Sequence, residues 1–456
     1  MRSRVALAAV LAVLAATVAC KREPPAPEPT PPPRETAPTL DLALADAAVH
    51  ADAAAPQGAL HRPYNVVLIL IDSLRADMPW TGYPREIAPR LSELAKTWTL
   101  YPRAYSLSSY TAKSVAPMLA GKYPGEMAHS AKFFTHWPEE NVFLGEIAQK
   151  AGIRTLAGHG HGYFMKEVSG LQQGFDDYQL LPGTFLDTTG VHDINSDRLN
   201  AQAKAMLQKP ENVAQEGGKR FFAYFHFLDP HFSYVKHKDH PDFGNQPRDL
   251  YDNEVHFTDR YVGDLVDFVE AQPWGKDTAV VITADHGEGF GERGRNRHAY
   301  DVWESLVRVP LFVHVPGAPA RRIEKSRSAI DLAPTIADLM SFGEGAGFRG
   351  QSLVPEIMGA PAEARPVLVD LPRADLMDRK RAFVDGKYKL IAFGDNTRYE
   401  LFDVTIDPRE EKDLVKSDPD TFAAMKQKYL DFIAPIPNKA VSSSEALLGA
   451  PGGQRY

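Results

Sequence analysis

Asp285, His286 and Gly287 follow a short β-branched apolar run, Val280 to Ile282, and form the densest piece of potential chemistry in this chain. A carboxylate oxygen and an imidazole nitrogen side by side can hold one cation. The same Asp-His-Gly can also be a plain polar turn after a strand. A second acid, Asp72, ends the continuous apolar run Asn65–Asp72, where it could be a metal ligand or a helix cap. Hydroxyls crowd the stretch from Tyr105 to Ser114, around the start of a helix predicted over about Ala112–Leu119. A hydroxyl at a helix N-terminus lies beside free backbone N–H groups and the positive end of the dipole, which favours an anionic ester; it is also an ordinary N-cap. His159 and His161 alternate with Gly158, Gly160 and Gly162, sterically open to a ligand or no more than a polar loop.

These residues need strands to bring them together. Apolar runs ending in an acid read as buried strands of a parallel sheet, and ligands gather at the carboxyl ends of such strands. Arg220–Leu228 is a further apolar strand, and it delivers Asp229, Pro230 and His231. His226, inside that run, reads as core or as support behind the site. Helical spacing of apolar residues predicts helices over Ile87–Thr97 and Asp249–Val269, with Asp259 on a solvated face. Beyond Arg365 the character changes to short strands at Ala382–Val384, Tyr388–Phe393 and Glu400–Phe402, closed by a helix over Pro419–Ile433.

The formal net charge of −8 comes without a basic block, so nucleic acid is not an expected partner. At the N-terminus Arg2 and Arg4 precede an apolar run from Val5 to Ala19, shorter than the roughly 20 residues a membrane helix needs, and it reads as a signal peptide. Its end, LAATVAC from Leu14 to Cys20, resembles a bacterial lipobox with Thr17 where leucine is usual. An ordinary signal peptide with Cys20 incidental is the alternative. Cys20 is the lone cysteine, so no intramolecular disulfide can form. The expected organisation is a signal segment over 1–20, a Pro/Ala-rich tether over 21–63, a catalytic domain over 64–364, a C-terminal subdomain over 365–440 and a flexible tail over 441–456. Localisation would then be the bacterial cell envelope, with the exported protein anchored to a membrane by lipid on Cys20.

Several motifs occur in one order: Asp72-Ser-Leu-Arg-Ala-Asp77, hydroxyls leading into Leu119-Ala-Gly-Lys-Tyr-Pro124, Gly174-Phe-Asp176, Asp229-Pro-His231, Ala284-Asp-His-Gly-Glu288, and Asp331-Leu-Ala-Pro-Thr335. Together they resemble the sulfatase branch of the alkaline phosphatase superfamily, over about Asn65 to Ile433. That resemblance implies an α/β fold: a three-layer sandwich around a central, mostly parallel sheet, with a small C-terminal α+β subdomain. Aligning Leu119–Pro124 with the family's LTGRYP places Thr111 at the nucleophile position. Sulfatases hold Cys or Ser there in C/S-x-P-S-R and oxidise it to formylglycine. Here the stretch reads Thr111, Ala112, Lys113, Ser114, Val115, so formylglycine cannot be made. The chain instead resembles the threonine-nucleophile members, among them phosphodiesterases and phosphoethanolamine or glycerophosphate transferases.

The resemblance implies a divalent cation held by Asp72, Asp285, His286 and the hydroxyl of Thr111, with calcium, magnesium, manganese and zinc undistinguished. It implies His161, His231 and His298 on the oxygens of an anionic ester, one of them protonating the leaving group. His159, Lys113 and Ser114 would contact the substrate. Ser73 stands where many members carry another acid. Threonine has no geminal hydroxyl to eliminate sulfate, so phosphate or phosphonate esters are favoured over sulfates. A transferase of the same superfamily is one alternative. A catalytically inactive, tethered binding module is another, suggested by the departures at Lys113, Val115 and Arg293.

Overall fold

The computed structural model describes residue 60 and residues 62–184, 195–213, 220–375 and 377–439. Cys20, the apolar run before it, most of the tether and the tail lie outside the described residues. Among the described residues thirteen strands form two sheets. They are β1 (Asn65–Ile71), β2 (Thr99–Tyr105), β3 (Arg154–His159), β4 (Asp177–Leu180), β5 (Phe221–Phe227), β6 (Thr278–Thr283), β7 (Arg308–His314), β8 (Arg321–Arg322), β9 (Arg327–Ser328), β10 (Val367–Leu371), β11 (Lys380–Asp385), β12 (Tyr388–Phe393) and β13 (Arg398–Asp403).

The first sheet runs β4-β3-β5-β1-β6-β7-β2-β8, with β9 also paired to β2. Only β7 runs against its neighbours; the other pairings are parallel. Every residue of β1, β5 and β6 is buried, as continuous apolar runs covered on both faces must be. Helices Pro89–Thr97, Ser196–Leu207 and Pro247–Ala271 pack as one set, and Thr111–Ala120, Leu144–Lys150 and Leu332–Leu339 as another, one set to each face. Because β3, β5, β1 and β6 are parallel and adjacent, their carboxyl ends share one edge. Asp72 follows β1, Asp229 and His231 follow β5, Asp285 and His286 follow β6, and His161 follows β3.

Long helix Pro247–Ala271 braces that edge. Tyr251 Oη accepts from Arg75 N and donates to Ser73 O, both at 2.9 Å, and so fixes the turn after Asp72. The expectation for Asp259 is corrected: it is buried, not solvated, and its carboxylate caps Pro89–Thr97 by accepting from Arg90 N and Leu91 N. Burial pushes its pKa up to about 7 despite those bonds.

Strands β10 to β13 form an antiparallel sheet with helix Pro419–Ile433 packed on β12, a small C-terminal subdomain. It reaches back to the chain on either side of helix Thr111–Ala120: Asp370 N donates to Leu107 O at 2.9 Å, and Asp370 Oδ2 accepts from Gly125 N at 3.1 Å. Among the described residues no helix is long and apolar enough to cross a membrane.

Candidate active site

Thr111 is the first residue of helix Thr111–Ala120. Its Oγ1 lies 3.2 Å from Asp72 Oδ2 and 3.2 Å from His286 Nε2. Ligand atoms of Asp72, Asp285 and His286 lie within 4.8 Å of one another, and all three side chains are buried. His286 Nδ1 is 2.9 Å from Gly287 O, which fixes the proton on that nitrogen and leaves Nε2 as a lone pair facing the acids. Asp285 Oδ1 accepts from His286 N and from Ser73 N. Ser73 holds a left-handed φ of 59° in doing so, a strained conformation for a side-chain-bearing residue at a functional turn.

Asp285 Oδ2 has no hydrogen-bond partner although it is buried. His286 Nε2 at 3.5 Å and His226 Nε2 at 3.8 Å are its nitrogen neighbours, neither hydrogen bonded to it, and a cation answers a buried carboxylate oxygen so placed. Two carboxylates and an imidazole nitrogen suit a divalent ion, so these residues fit the metal that the resemblance implies. Burial pushes the Asp72 carboxyl up, but His231, His226 and His286 around it hold the group well below the usual carboxylate range.

Four imidazoles line one path into this cluster. Ring centroids are 5.7 Å apart for His161 and His231, 5.0 Å for His231 and His298, and 4.3 Å for His298 and His286. Each spends Nδ1 on the fold: His161 accepts from Tyr163 N, His231 lies 2.6 Å from Phe232 O, His286 is on Gly287 O, and His298 is on Glu288. Among the described residues no hydrogen bond engages Nε2 of His161, His231 or His298. Burial, then His231, drives His161 down to about 3, so it is a neutral donor at ordinary pH. Burial also opposes charge on His298, yet Glu288, with Asp72 and Asp285, holds it above the usual imidazole value.

Three expected substrate contacts are not brought to Thr111. Lys113 lies two residues along the helix, roughly 200° around it, and turns away. Its Nζ donates to Ser130 O at 3.2 Å and lies 5.4 Å over the Trp137 ring; burial draws its pKa down to about 7. Ser114 Oγ donates to Asp285 O at 2.5 Å, so it positions the turn that carries Asp285 and His286. His159 is buried in the core, stacked on Phe164 at 4.2 Å, with neither ring nitrogen hydrogen bonded.

The reading of His226 as support behind the site holds: it sets Nε2 3.2 Å from Asp72 Oδ2 and Nδ1 2.7 Å from Tyr224 Oη. Sequence reasoning missed two other contributors. Glu288 is buried behind His298. Arg75 is buried too, gripping Asp77 with Nε and Nη2 at 2.6 and 2.8 Å and pairing with Glu292 at 2.9 Å. The available signal was the density of charge beside two strand ends, Arg75 to Asp77 and Glu288 to Glu292.

The sulfatase family model matches residues 64–342, and a second model, described as the C-terminal region of N-sulphoglucosamine sulphohydrolase, matches residues 294–432. The chain belongs to the sulfatase family. Among curated sulfatases it is similar to an ulvan-active sulfatase of Formosa agariphila, 25% identical over 349 residues, covering 66% of this chain and 66% of that one. It is 31% identical to a choline-sulfatase of Rhizobium meliloti over 174 residues, 37% of this chain and 33% of that one. The chain thus spans just under two thirds of the first relative and a third of the second. The sulfatase-like fold recurs in solved structures. One is Ps i-CgsB in complex with k-i-k-neocarrahexaose: TM-score 0.67, 20% identity, 85% of this chain and 96% of that chain. Another is the phosphonate monoester hydrolase SpPMH of Silicibacter pomeroyi: TM-score 0.63, 18% identity, 83% and 97%.

Proposed function

We propose that this sulfatase-family protein is a metal-dependent hydrolase of anionic esters, with Thr111 as nucleophile and phosphate or phosphonate esters favoured over sulfates. The observation that carries the reading is the Thr111 hydroxyl, held at a helix N-terminus 3.2 Å from both Asp72 and His286. A divalent cation held by Asp72, Asp285 and His286 would supply charge to lower the pKa of a bound hydroxyl and to offset the anionic ester. The chain's own residues do the rest. Thr111 Oγ1 loses its proton to water as it attacks the phosphorus in line, and the ester P–O bond opposite breaks. Free N–H groups and the dipole of helix Thr111–Ala120 stabilise the charge that develops beside Thr111. His161, whose Nε2 carries the proton because Nδ1 accepts from Tyr163 N, donates to a non-bridging oxygen, and His231, with Nδ1 on Phe232 O, reaches one only as the imidazolium. His298 donates its Nε2 proton to the departing oxygen and then takes one from the water that opens the phospho-threonine.

Substrate preference rests on the nucleophile. A sulfo-threonine has no second hydroxyl on the same carbon from which sulfate can be eliminated, whereas a phospho-threonine reopens by the reverse in-line step. A phosphonate monoester hydrolase among the structural neighbours accords with this; the curated relatives named as sulfatases leave sulfate esters as the competing substrate. The test is a screen of phosphate monoesters, phosphate diesters, phosphonates and sulfates, with and without chelator. Chelator-sensitive release of alcohol from phosphoryl esters is expected. Turnover of sulfates alone would contradict the preference, and transfer to an added alcohol with no hydrolysis would make it a transferase.

We also propose that the protein is exported and lipid-anchored through Cys20, on the lipobox-like stretch alone. Cys20→Ala should move it from the membrane fraction to a soluble exported one. Absence of label on the wild type from a fatty-acid probe would end that reading.

A further inference from the structure

His298 is held from behind by a buried carboxylate. Glu288 is fully buried, and its two oxygens lie 3.2 and 3.3 Å from His298 Nδ1. The carboxylate is itself fixed: Tyr234 Oη donates to Oε2 at 2.8 Å and Gly289 N to Oε1 at 3.0 Å. Strain gathers around the same histidine. Arg297 has φ 65° and Ala299 φ 90°, left-handed values that side-chain-bearing residues rarely adopt. Neighbours enforce both: Arg297 N donates to Gly289 O at 2.9 Å, its guanidinium lies 3.7 Å over the Phe232 ring, and Ala299 N donates to Ser109 O at 3.0 Å. The Ser109 bond ties the His298 segment to the strip of chain that leads into Thr111.

We propose that Glu288, locked by Tyr234, is the positioning residue for His298, fixing its ring orientation and tautomer so that Nε2 faces the leaving oxygen of the ester. A carboxylate on Nδ1 keeps a proton there and leaves Nε2 for the reaction. His298 enters the first step as the imidazolium that the Glu288 carboxylate stabilises: its Nε2–H bond breaks and the alcohol O–H bond forms, while the Nδ1 proton stays in the bond to Glu288. In the second step the attacking water returns a proton to Nε2. Two backbone strains and a fixed carboxylate on one imidazole are what a ring with a single required orientation calls for; a ring with only a packing role needs none of them.

This inference rests on the hydrolase reading, and its test separates the two. Metal-loaded wild type, Glu288→Gln and Tyr234→Phe are compared on phosphoryl esters whose leaving groups run from nitrophenol to a simple alkyl alcohol. A nitrophenolate leaves without help; an alkoxide needs its proton. Glu288→Gln should lose about 100-fold in kcat/KM on the alkyl ester and under about tenfold on the nitrophenyl ester, since a positioned acid contributes on the order of 10²–10⁴-fold. Tyr234→Phe should show the same selectivity at smaller size, and it decides the matter alone if Glu288→Gln does not fold or hold metal. Equal loss on all esters, or no loss, overturns the positioning role, because a merely structural defect does not read the leaving group. A wild type that turns over none of the esters overturns the hydrolase reading and this inference with it.

Discussion

Asp285 Oδ2, buried and without a hydrogen-bond partner, marks where a cation is wanted. Asp285→Ala should leave purified protein without its bound divalent ion by elemental analysis, with circular dichroism unchanged. Unchanged metal content would defeat the assignment. A second consequence concerns stability: without metal, Asp72 and Asp285 are two acids in one buried cluster, so the metal-free variant should be at least as stable to urea as metal-free wild type. At this scale the candidate cluster was legible, because Asp72 and Asp285 each follow an apolar strand. The sequence showed side-chain direction poorly. Lys113 and Ser114 both follow Thr111 on one helix, yet one turns to Trp137 and the other grips Asp285 O. His159 and His161 share strand parity, but the chain turns at Gly160, where an added Cβ would lie 2.6 Å from Asn195, so only His161 reaches the site.

Helix Thr111–Ala120 was legible from its spacing, and so were β1, β5 and β6 from their unbroken apolar runs. The segment that underpins the helix was not, since residues 127 to 143 carry no period. There Trp137 Nε1 donates to Ala112 O at 3.1 Å, and His129 packs against Trp137 at 5.9 Å. His129 is buried with Nδ1 on Met127 O; burial, then Lys113, lowers its pKa to about 4. The unfolded chain takes up that proton near pH 6.5 and the folded one only near 4. Stability from this group is therefore complete above pH 6.5 and lost as pH falls, by about 3 kcal/mol at pH 4. Urea titrations across pH 7 to 4 should show the loss in wild type and a flatter slope in His129→Gln. Identical slopes would mean that His129 is protonated in the native state.

Across the whole molecule, the C-terminal subdomain is joined to the large sheet through a buried charge cluster. Lys389 Nζ on β12 lies 3.1 Å from Glu304 Oε1 and 2.9 Å from Glu410 Oε1, with all three residues buried. Burial drives Glu410 up to about 7, with Lys389 opposing the shift and Glu304 adding to it. Lys389→Met leaves two acids facing each other and should cost about 3–5 kcal/mol in urea unfolding. A loss below about 1 kcal/mol, the worth of an exposed pair, would show that the junction is wet. Nothing in the sequence pairs residues 304, 389 and 410, because long-range pairing leaves no period or spacing. Strands β11 to β13 were legible as short runs, whereas their antiparallel pairing and β10, which ties the subdomain to Leu107, were not singled out.

The central claim is covalent catalysis at Thr111, and one measurement reads it directly. Metal-loaded enzyme is mixed with an activated phosphodiester, quenched in acid within the first turnover, digested and mapped by mass spectrometry. The account predicts a phosphoryl adduct on Thr111 that is absent from Thr111→Ala. An adduct on Ser108, Ser109 or Ser114 would move the nucleophile and show that the alignment register is wrong. No adduct anywhere, together with full activity of Thr111→Ala, would contradict the mechanism.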